Sequence, residues 1–262
     1  MGTGSSWPGR DINCNIDLNK LQTGWDAFRG KIHQNITIKM DKKTELKALI
    51  NEQGIVPLYY AADAGVSIEL MRAMYRGGIR TTEYANRGEQ AMKNFKEMRK
   101  ACDAEMPGMR LGIGTIKNAE AAKEYIDEGA EFLVCPGILE SVIELSDKHN
   151  LLCVPGCMTP SEIIRAESCG VNLVKLFPAN TLGPSYIEAV QALFTDMTFL
   201  PTGGIELNEE NLRSWFKVGV CAVGGSKMIT KPVIENRLYD ELSKECQRAL
   251  NLIKSIRESL KK

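Results

Sequence analysis

From residue 54 onward the chain alternates short apolar runs with stretches of helical period, and it does so eight times. The runs are Ile55–Tyr60, Ile79–Ala85, Arg110–Thr115, Phe132–Cys135, Leu151–Val154, Leu173–Phe177, Phe199–Pro201 and Cys221–Val223. Their near-continuous apolar character is that of strands covered on both faces, which is the signature of a parallel sheet. Between them lie helical stretches at 67–76, 90–103, 119–128, 139–149, 160–168, 184–193 and 209–218, with a last amphipathic stretch from Val233 to Leu260. Glycines suited to ending helices sit at Gly77-Gly78, Gly129, Gly170 and Gly219. Eight strands, each followed by a helix, predict a (β/α)₈ TIM barrel, a fold that runs to about 250 residues. The competing open, doubly wound sheet wants a Gly-x-Gly-x-x-Gly turn after its first strand. Here that turn reads Tyr59-Tyr60-Ala61-Ala62-Asp63.

Composition removes several classes of function. The 33 basic and 33 acidic side chains cancel, so charge gives no argument for a nucleic acid or a membrane surface as partner. No apolar run approaches the roughly 20 residues of a membrane span. The eight cysteines include no Cys-x-x-Cys pair and lie mostly in apolar segments, which predicts reduced thiols in a cytoplasmic protein. With only His33 and His149 to join Cys153 and Cys157, a zinc site is not expected. Residues 1–39 are rich in Gly, Ser and Asn and lack the apolar core of a secretory signal. They are expected to be an extension, either disordered or added upstream in cloning, with Met40 the natural start and 40–262 the barrel. Within the extension, Asn35-Ile36-Thr37 matches a glycosylation sequon; a chance tripeptide is the simpler reading.

Chemistry is sought at the C-terminal ends of barrel strands. One residue there breaks the pattern of its segment: Lys175, inside Leu173-Val174-Lys175-Leu176-Phe177-Pro178. A buried ammonium is costly unless it is paired or gives up its proton, and a neutral lysine is a nucleophile that forms Schiff bases with carbonyl substrates. Desolvation favours the neutral amine, whereas a facing carboxylate favours the ammonium. Glu83, in step with Ile79 and Thr81 on strand two, is such a carboxylate, although alternation alone does not say which face turns inward. A purely structural ion pair is the plainer alternative. Arg87 and Thr115 stand at the ends of strands two and three; alone, each reads equally well as a solvated charge and a strand-end hydroxyl. After strands seven and eight come Gly203-Gly204 and Gly224-Gly225-Ser226. Such turns let backbone N–H groups approach an anion, and a short following helix adds its positive end; plain tight turns are the alternative.

The segments Thr-Thr-Glu83-Tyr-Ala-Asn-Arg87, Gly-Ile-Gly-Thr115, Cys-Pro136-Gly, Pro155-Gly-Cys-Met-Thr159-Pro, Val-Lys175-Leu-Phe177-Pro178-Ala and Pro-Thr-Gly203-Gly204-Ile follow one another in a fixed order. Together, over about 40 to 260, they resemble the 2-keto-3-deoxy-6-phosphogluconate aldolase family, which also includes enzymes acting on 4-hydroxy-2-oxoglutarate. The resemblance implies a class I carbon–carbon lyase that cleaves 2-keto-3-deoxy-6-phosphogluconate to pyruvate and glyceraldehyde 3-phosphate. The 2-keto-3-deoxy-6-phosphogalactonate epimer and 4-hydroxy-2-oxoglutarate are the alternative substrates. It implies Lys175 as the Schiff base and Glu83 as the general acid/base. It also implies Arg87 and Thr115 at the pyruvyl end, Pro136 and Phe177 as the apolar wall, and Gly203, Gly204, Gly225 and Ser226 around the distal phosphate. No cofactor or metal is implied, because the protonated imine is itself the electron sink. The partners implied are a phosphorylated keto acid, pyruvate and two further copies of the chain in a homotrimer. One departure stands out: some members carry an arginine near the end of strand one, where this chain has Tyr60. Asn86, next to Arg87, is a second position expected to affect hydroxyl recognition.

Two other functions fit the barrel. Sugar-phosphate epimerases share the fold and phosphate turns but commonly work with paired acidic groups or a metal, against which the scarcity of histidine and the lysine of strand six both count. A non-catalytic assembly subunit is the other, and the intact Glu83, Lys175 and glycine turns speak against it.

Overall fold

A computed structural model describes residues 41–261. The expectations for residues 1–39 and for the Asn35 sequon lie outside them. Asp41 opens the first helix, α1 (Lys42–Gln53), by accepting the N–H groups of Lys43 and Thr44 at 2.9 and 3.1 Å. Its carboxyl is held below the usual range, chiefly by the Thr44 hydroxyl and N–H. Gly54, at φ 74°, ends the helix and turns the chain into β1 (Ile55–Tyr59). The alternation then runs α2 (Ala64–Arg76), β2 (Thr81–Ala85), α3 (Ala91–Glu105), β3 (Arg110–Gly114), α4 (Ala119–Asp127), β4 (Phe132–Val134), α5 (Glu140–Lys148) and β5 (Leu152–Val154). It continues as β6 (Gly156–Cys157), α6 (Pro160–Ser168), β7 (Leu173–Leu176), α7 (Ala179–Leu182), α8 (Pro184–Gln191), β8 (Thr198–Pro201), α9 (Glu209–Lys217), β9 (Val223–Gly225), α10 (Lys231–Glu235) and α11 (Tyr239–Leu260).

All strand pairs are parallel. They form a six-stranded sheet in the order β5-β4-β3-β2-β1-β9 and a three-stranded sheet in the order β6-β7-β8. The chain passes from one sheet to the other at Pro155, between β5 and β6. On the other side a bridge joins Thr202 to Gly224, and the Cys221 N–H reaches the Phe199 carbonyl at 3.2 Å.

Several boundaries differ from the sequence expectation, β2 beginning at Thr81 rather than Ile79 and α2 at Ala64 rather than Ser67, and three further differences have a clear physical cause. The fifth strand is divided, because Pro155 has no N–H to continue a ladder; its carbonyl instead accepts the Lys175 N–H at 2.9 Å. The last strand is Val223–Gly225, two residues later than expected, since the register with β1 pairs Ile55 with Val223 and Pro57 with Gly225. The final helical stretch is two helices, interrupted where Arg237 takes φ 53°; a left-handed residue cannot continue a right-handed helix.

Two apolar clusters fill the interior. The larger lies between strands and helices and includes Leu70, Tyr84, Phe95, Ile113, Val174 and Trp215. The smaller gathers Val56, Phe132, Val134, Leu152, Val154, Leu173, Leu200 and Ala222 from the opposite faces of the strands, with Leu46 and Ile50 of α1 against them. Because side chains alternate along a strand, this second cluster marks which face of each strand looks inward. Among the described residues no helix is long and apolar enough to cross a membrane.

Candidate active site

The inward parity can be followed along each strand to its C-terminal end. Val56 leads to Leu58, Val134 to Pro136, Leu173 to Lys175 and then Phe177, Leu200 to Thr202 and then Gly204, and Ala222 to Gly224 and then Ser226. Every residue at the end of these progressions lines one cavity of about 250 Å³. All ten residues singled out from the sequence line it: Lys175, Glu83, Arg87, Thr115, Pro136, Phe177, Gly203, Gly204, Gly225 and Ser226. A second cavity, of about 510 Å³, is larger, but it lies between α1 and α11 and is lined by none of them.

Glu83 and Lys175 face each other inside the cavity. Glu83 stands on β2 opposite Leu58 and Gly112; Lys175 stands on β7 opposite Leu200 and Gly156. Their residues are 3% and 7% exposed, and the ammonium nitrogen lies 3.6 Å from Glu83 Oε1. The same nitrogen lies 5.4 Å from the centroid of the Phe177 ring, on the next residue of the same inward face. Space for the carboxylate is supplied by Gly114: a Cβ there would come 1.7 Å from Glu83 Oε1.

Thr115 follows immediately and takes φ 61°, a left-handed conformation that is a true outlier for a β-branched residue. Strain of this kind persists only where the surroundings enforce it, and here the neighbouring N–H of Ile116 is tied to the Val134 carbonyl at 3.3 Å. Arg87 is exposed at the rim, and among the described residues no carboxylate lies within ion-pair distance of it. Gly203 and Gly204 both have positive φ, 99° and 72°. At Gly204 a Cβ would also lie 2.4 Å from Asn180 Cβ, so only glycine fits.

Three features that the sequence brought forward lie off the cavity wall. Tyr60 is absent from the cavity wall; its ring packs 5.8 Å from that of Tyr84, and the β1 side chain that reaches the cavity is Leu58. The inward face of β1 is set by Val56, and Tyr60 lies beyond the end of the strand. Asn86 is likewise absent from the wall, because its carbonyl oxygen accepts the Tyr125 hydroxyl at 2.9 Å. The short helix after the last strand, α10, contributes no lining residue either. The segment before it is drawn into a turn, with the Ile229 N–H on the Ser226 carbonyl at 2.9 Å, and the helix begins only at Lys231 with Pro232 in its first turn.

Four lining residues were missed, Leu58, Thr202, Ile205 and Lys227, while Gly224 lines the cavity as part of the second glycine turn. Alternation from Val56 and Leu200 would have found the first two, once the inward face was known. Lys227 carries no periodic signal. Its ammonium pairs with Glu206 at 2.7 Å.

The site offers a single buried amine and few competing nucleophiles. Cys135, next to Pro136, belongs to the outer cluster, and its hydrogen bond with Cys153 together with burial pushes its thiol well above the usual range. Among the described residues no group of three or more His, Cys, Asp or Glu side chains is placed to hold a metal ion. A buried amine, a carboxylate in reach of it, an exposed guanidinium and glycine-lined anion turns suit carbonyl chemistry on a substrate with an acidic head and an anionic tail.

Known proteins share this arrangement of sequence and fold. The family model for KDPG and KHG aldolase matches residues 46–245. The KHG/KDPG aldolase of Escherichia coli (strain K12) is 27% identical over 212 residues, covering 79% of this chain and 96% of the relative. The 2-dehydro-3-deoxy-phosphogluconate aldolase of Treponema pallidum is 31% identical over 201 residues, covering 76% and 93%. Among solved structures, the KDPG aldolase of Legionella pneumophila, with pyruvate captured as a covalent carbinolamine, aligns with a TM-score of 0.71 at 24% identity, covering 80% of this chain and 98% of that one. This last likeness is one of fold.

Proposed function

Because the chain belongs to the KDPG and KHG aldolase family, and is thus a class I aldolase and a carbon–carbon lyase, we propose that Lys175 and Glu83 carry its chemistry on a phosphorylated 2-keto-3-deoxy sugar acid. The observation that bears most weight is the pair itself, an amine and a carboxylate 3.6 Å apart in one small cavity. On substrate entry Glu83 accepts a proton from the Lys175 ammonium, and the freed amine attacks the C2 keto carbon. Proton return to the departing oxygen expels water and leaves an iminium. Glu83, directly or through a water, then removes the C4 hydroxyl proton. The C3–C4 bond breaks, its electrons flow into the iminium, and glyceraldehyde 3-phosphate departs. Reprotonation of the enamine at C3 and hydrolysis release pyruvate and restore the amine.

The remaining lining residues fit the two ends of such a molecule. Arg87 takes the carboxylate in a planar, two-point contact and the Thr115 hydroxyl meets the same end. Pro136 and Phe177 form the apolar wall. Gly203, Gly204, Gly225 and Ser226 receive the distal phosphate through backbone N–H groups and one hydroxyl. The discriminating experiment compares kcat/KM for 2-keto-3-deoxy-6-phosphogluconate, its galactonate epimer and 4-hydroxy-2-oxoglutarate. The first is expected to lead; a clear preference for either of the others would reassign the substrate and leave the imine chemistry in place.

The full architecture belongs to the same proposal. Chain continuity at Pro155 and the Thr202–Gly224 bridge support a closed (β/α)₈ barrel over 40–262, in which β5 and β6 together serve as the fifth strand. The proposal also takes the chain as a homotrimer in the cytoplasm, in which exposed Met158 and Ile164 are apolar side chains that a second copy would cover; a solution mass of three chains is the check.

A further inference from the structure

Lys227 is the one lining residue whose charge neither the sequence nor the scheme above uses. It sits in the turn that follows β9, between Ser226, which lines the cavity, and Met228, which is buried. The Ile229 N–H on the Ser226 carbonyl closes that turn and fixes its backbone. The side chain is about half exposed, and its ammonium rests on Glu206 Oε1 at 2.7 Å. Glu206 is equally exposed and is held from its own backbone, where the N–H donates to Asn211 Oδ1 at 2.9 Å. It follows Ile205, another lining residue, so the pair ties together the two segments that carry the glycine turns.

We propose that Lys227 is a specificity residue for the substrate's distal phosphate, held in reserve by Glu206 and transferred to the phosphate on binding; this rests on the aldolase reading. An exposed lysine–carboxylate pair gives up little when it opens. A phosphate dianion beside Ser226 and Gly225 offers the ammonium more charge and more acceptor oxygens than the carboxylate does. The exchange therefore favours substrates that carry a phosphate and gives nothing to those that lack one. Glu206 sets the strength of that preference, because it competes with the phosphate for the same cation.

The test uses the full chain and three variants, with two kinds of readout. Lys227→Met is expected to raise KM for 2-keto-3-deoxy-6-phosphogluconate about tenfold, the scale of one partly exposed charge-assisted contact. KM for the unphosphorylated 2-keto-3-deoxygluconate is expected to move less than twofold, and Lys227→Arg restores most of the affinity. Glu206→Gln should lower KM for the phosphorylated substrate, and only while Lys227 is present. Calorimetric titration with inorganic phosphate reads the same contact without turnover: affinity should fall in Lys227→Met and rise in Glu206→Gln. Equal loss on both substrates, or phosphate affinity indifferent to Lys227, overturns the proposal. Lys227-dependent phosphate binding in a chain that cleaves neither keto acid would sustain the contact while removing the aldolase reading.

Discussion

Lys175 Nζ lies 3.6 Å from Glu83 Oε1, with both side chains more than nine-tenths removed from solvent. Buried pairs of this kind are poor investments for stability alone, since desolvating two charges offsets most of their attraction. The distance is slightly longer than a hydrogen bond, and a small shift of either side chain brings the two groups within proton-transfer reach.

Lys175→Met is expected to abolish cleavage. Treating the wild-type chain with pyruvate and borohydride should leave one reduced adduct per chain, mapped to Lys175 by peptide mass. An active methionine variant, or an adduct on another lysine, excludes the scheme.

Glu83→Gln keeps the shape of the site and removes the base. Turnover is expected to fall about 10²–10⁴-fold, the usual contribution of a placed general acid/base, while pyruvate still binds. Wild-type turnover in this variant would take the proton-transfer role away from Glu83.

Gly114→Ala probes the same pair from behind. The added Cβ would meet Glu83 Oε1 at 1.7 Å and Cδ at 2.4 Å, so the carboxylate must swing away. Since only one side chain is displaced, the fold should persist with Tm lowered by a few degrees, and turnover should drop nearly as far as in Glu83→Gln. Kinetics matching wild type would mean that the carboxylate's position is immaterial.

Thr115→Gly separates strain from function. Relief of the φ 61° conformation is worth about 1–2 kcal/mol, partly offset by the greater freedom of glycine in the unfolded chain. Thermal unfolding should therefore show Tm unchanged or slightly raised. Loss of the hydroxyl should reduce kcat/KM by about tenfold. A large fall in Tm would show instead that the side chain is chiefly structural.

The buried thiols give a test that does not involve substrate. Burial pushes Cys102 up to about 11, and Cys157 and Cys246 up to about 12; each is at most 1% exposed. At pH 7.5 these three are almost wholly protonated as well as shielded, so iodoacetamide should leave them unmodified in the native chain and alkylate them in urea. Rapid native alkylation at any of them would mean that its segment opens readily.

Local order wrote much of this protein. The alternation of apolar runs and helical stretches names the strands, and helix ends such as Pro160–Ser168 are readable because proline and Thr159 fix the start and Gly170 follows the end. A lone lysine among Leu, Val and Phe, and two glycine turns, point to the site because charge and bare backbone are expensive there without a purpose. Pairing across the chain is a different matter. Which face of each strand turned inward was decided by the cluster around Phe132 and Leu200, with Leu46 and Ile50 of α1 packed beneath it. That choice placed Leu58 in the cavity; Tyr60, of the same parity but beyond the end of β1, packs against Tyr84 instead. The late start of β9 and the Lys227–Glu206 contact follow from hydrogen-bond register and from side chains meeting across turns. Periodicity within one segment holds no information about its partner in another; only the packed chain supplies it.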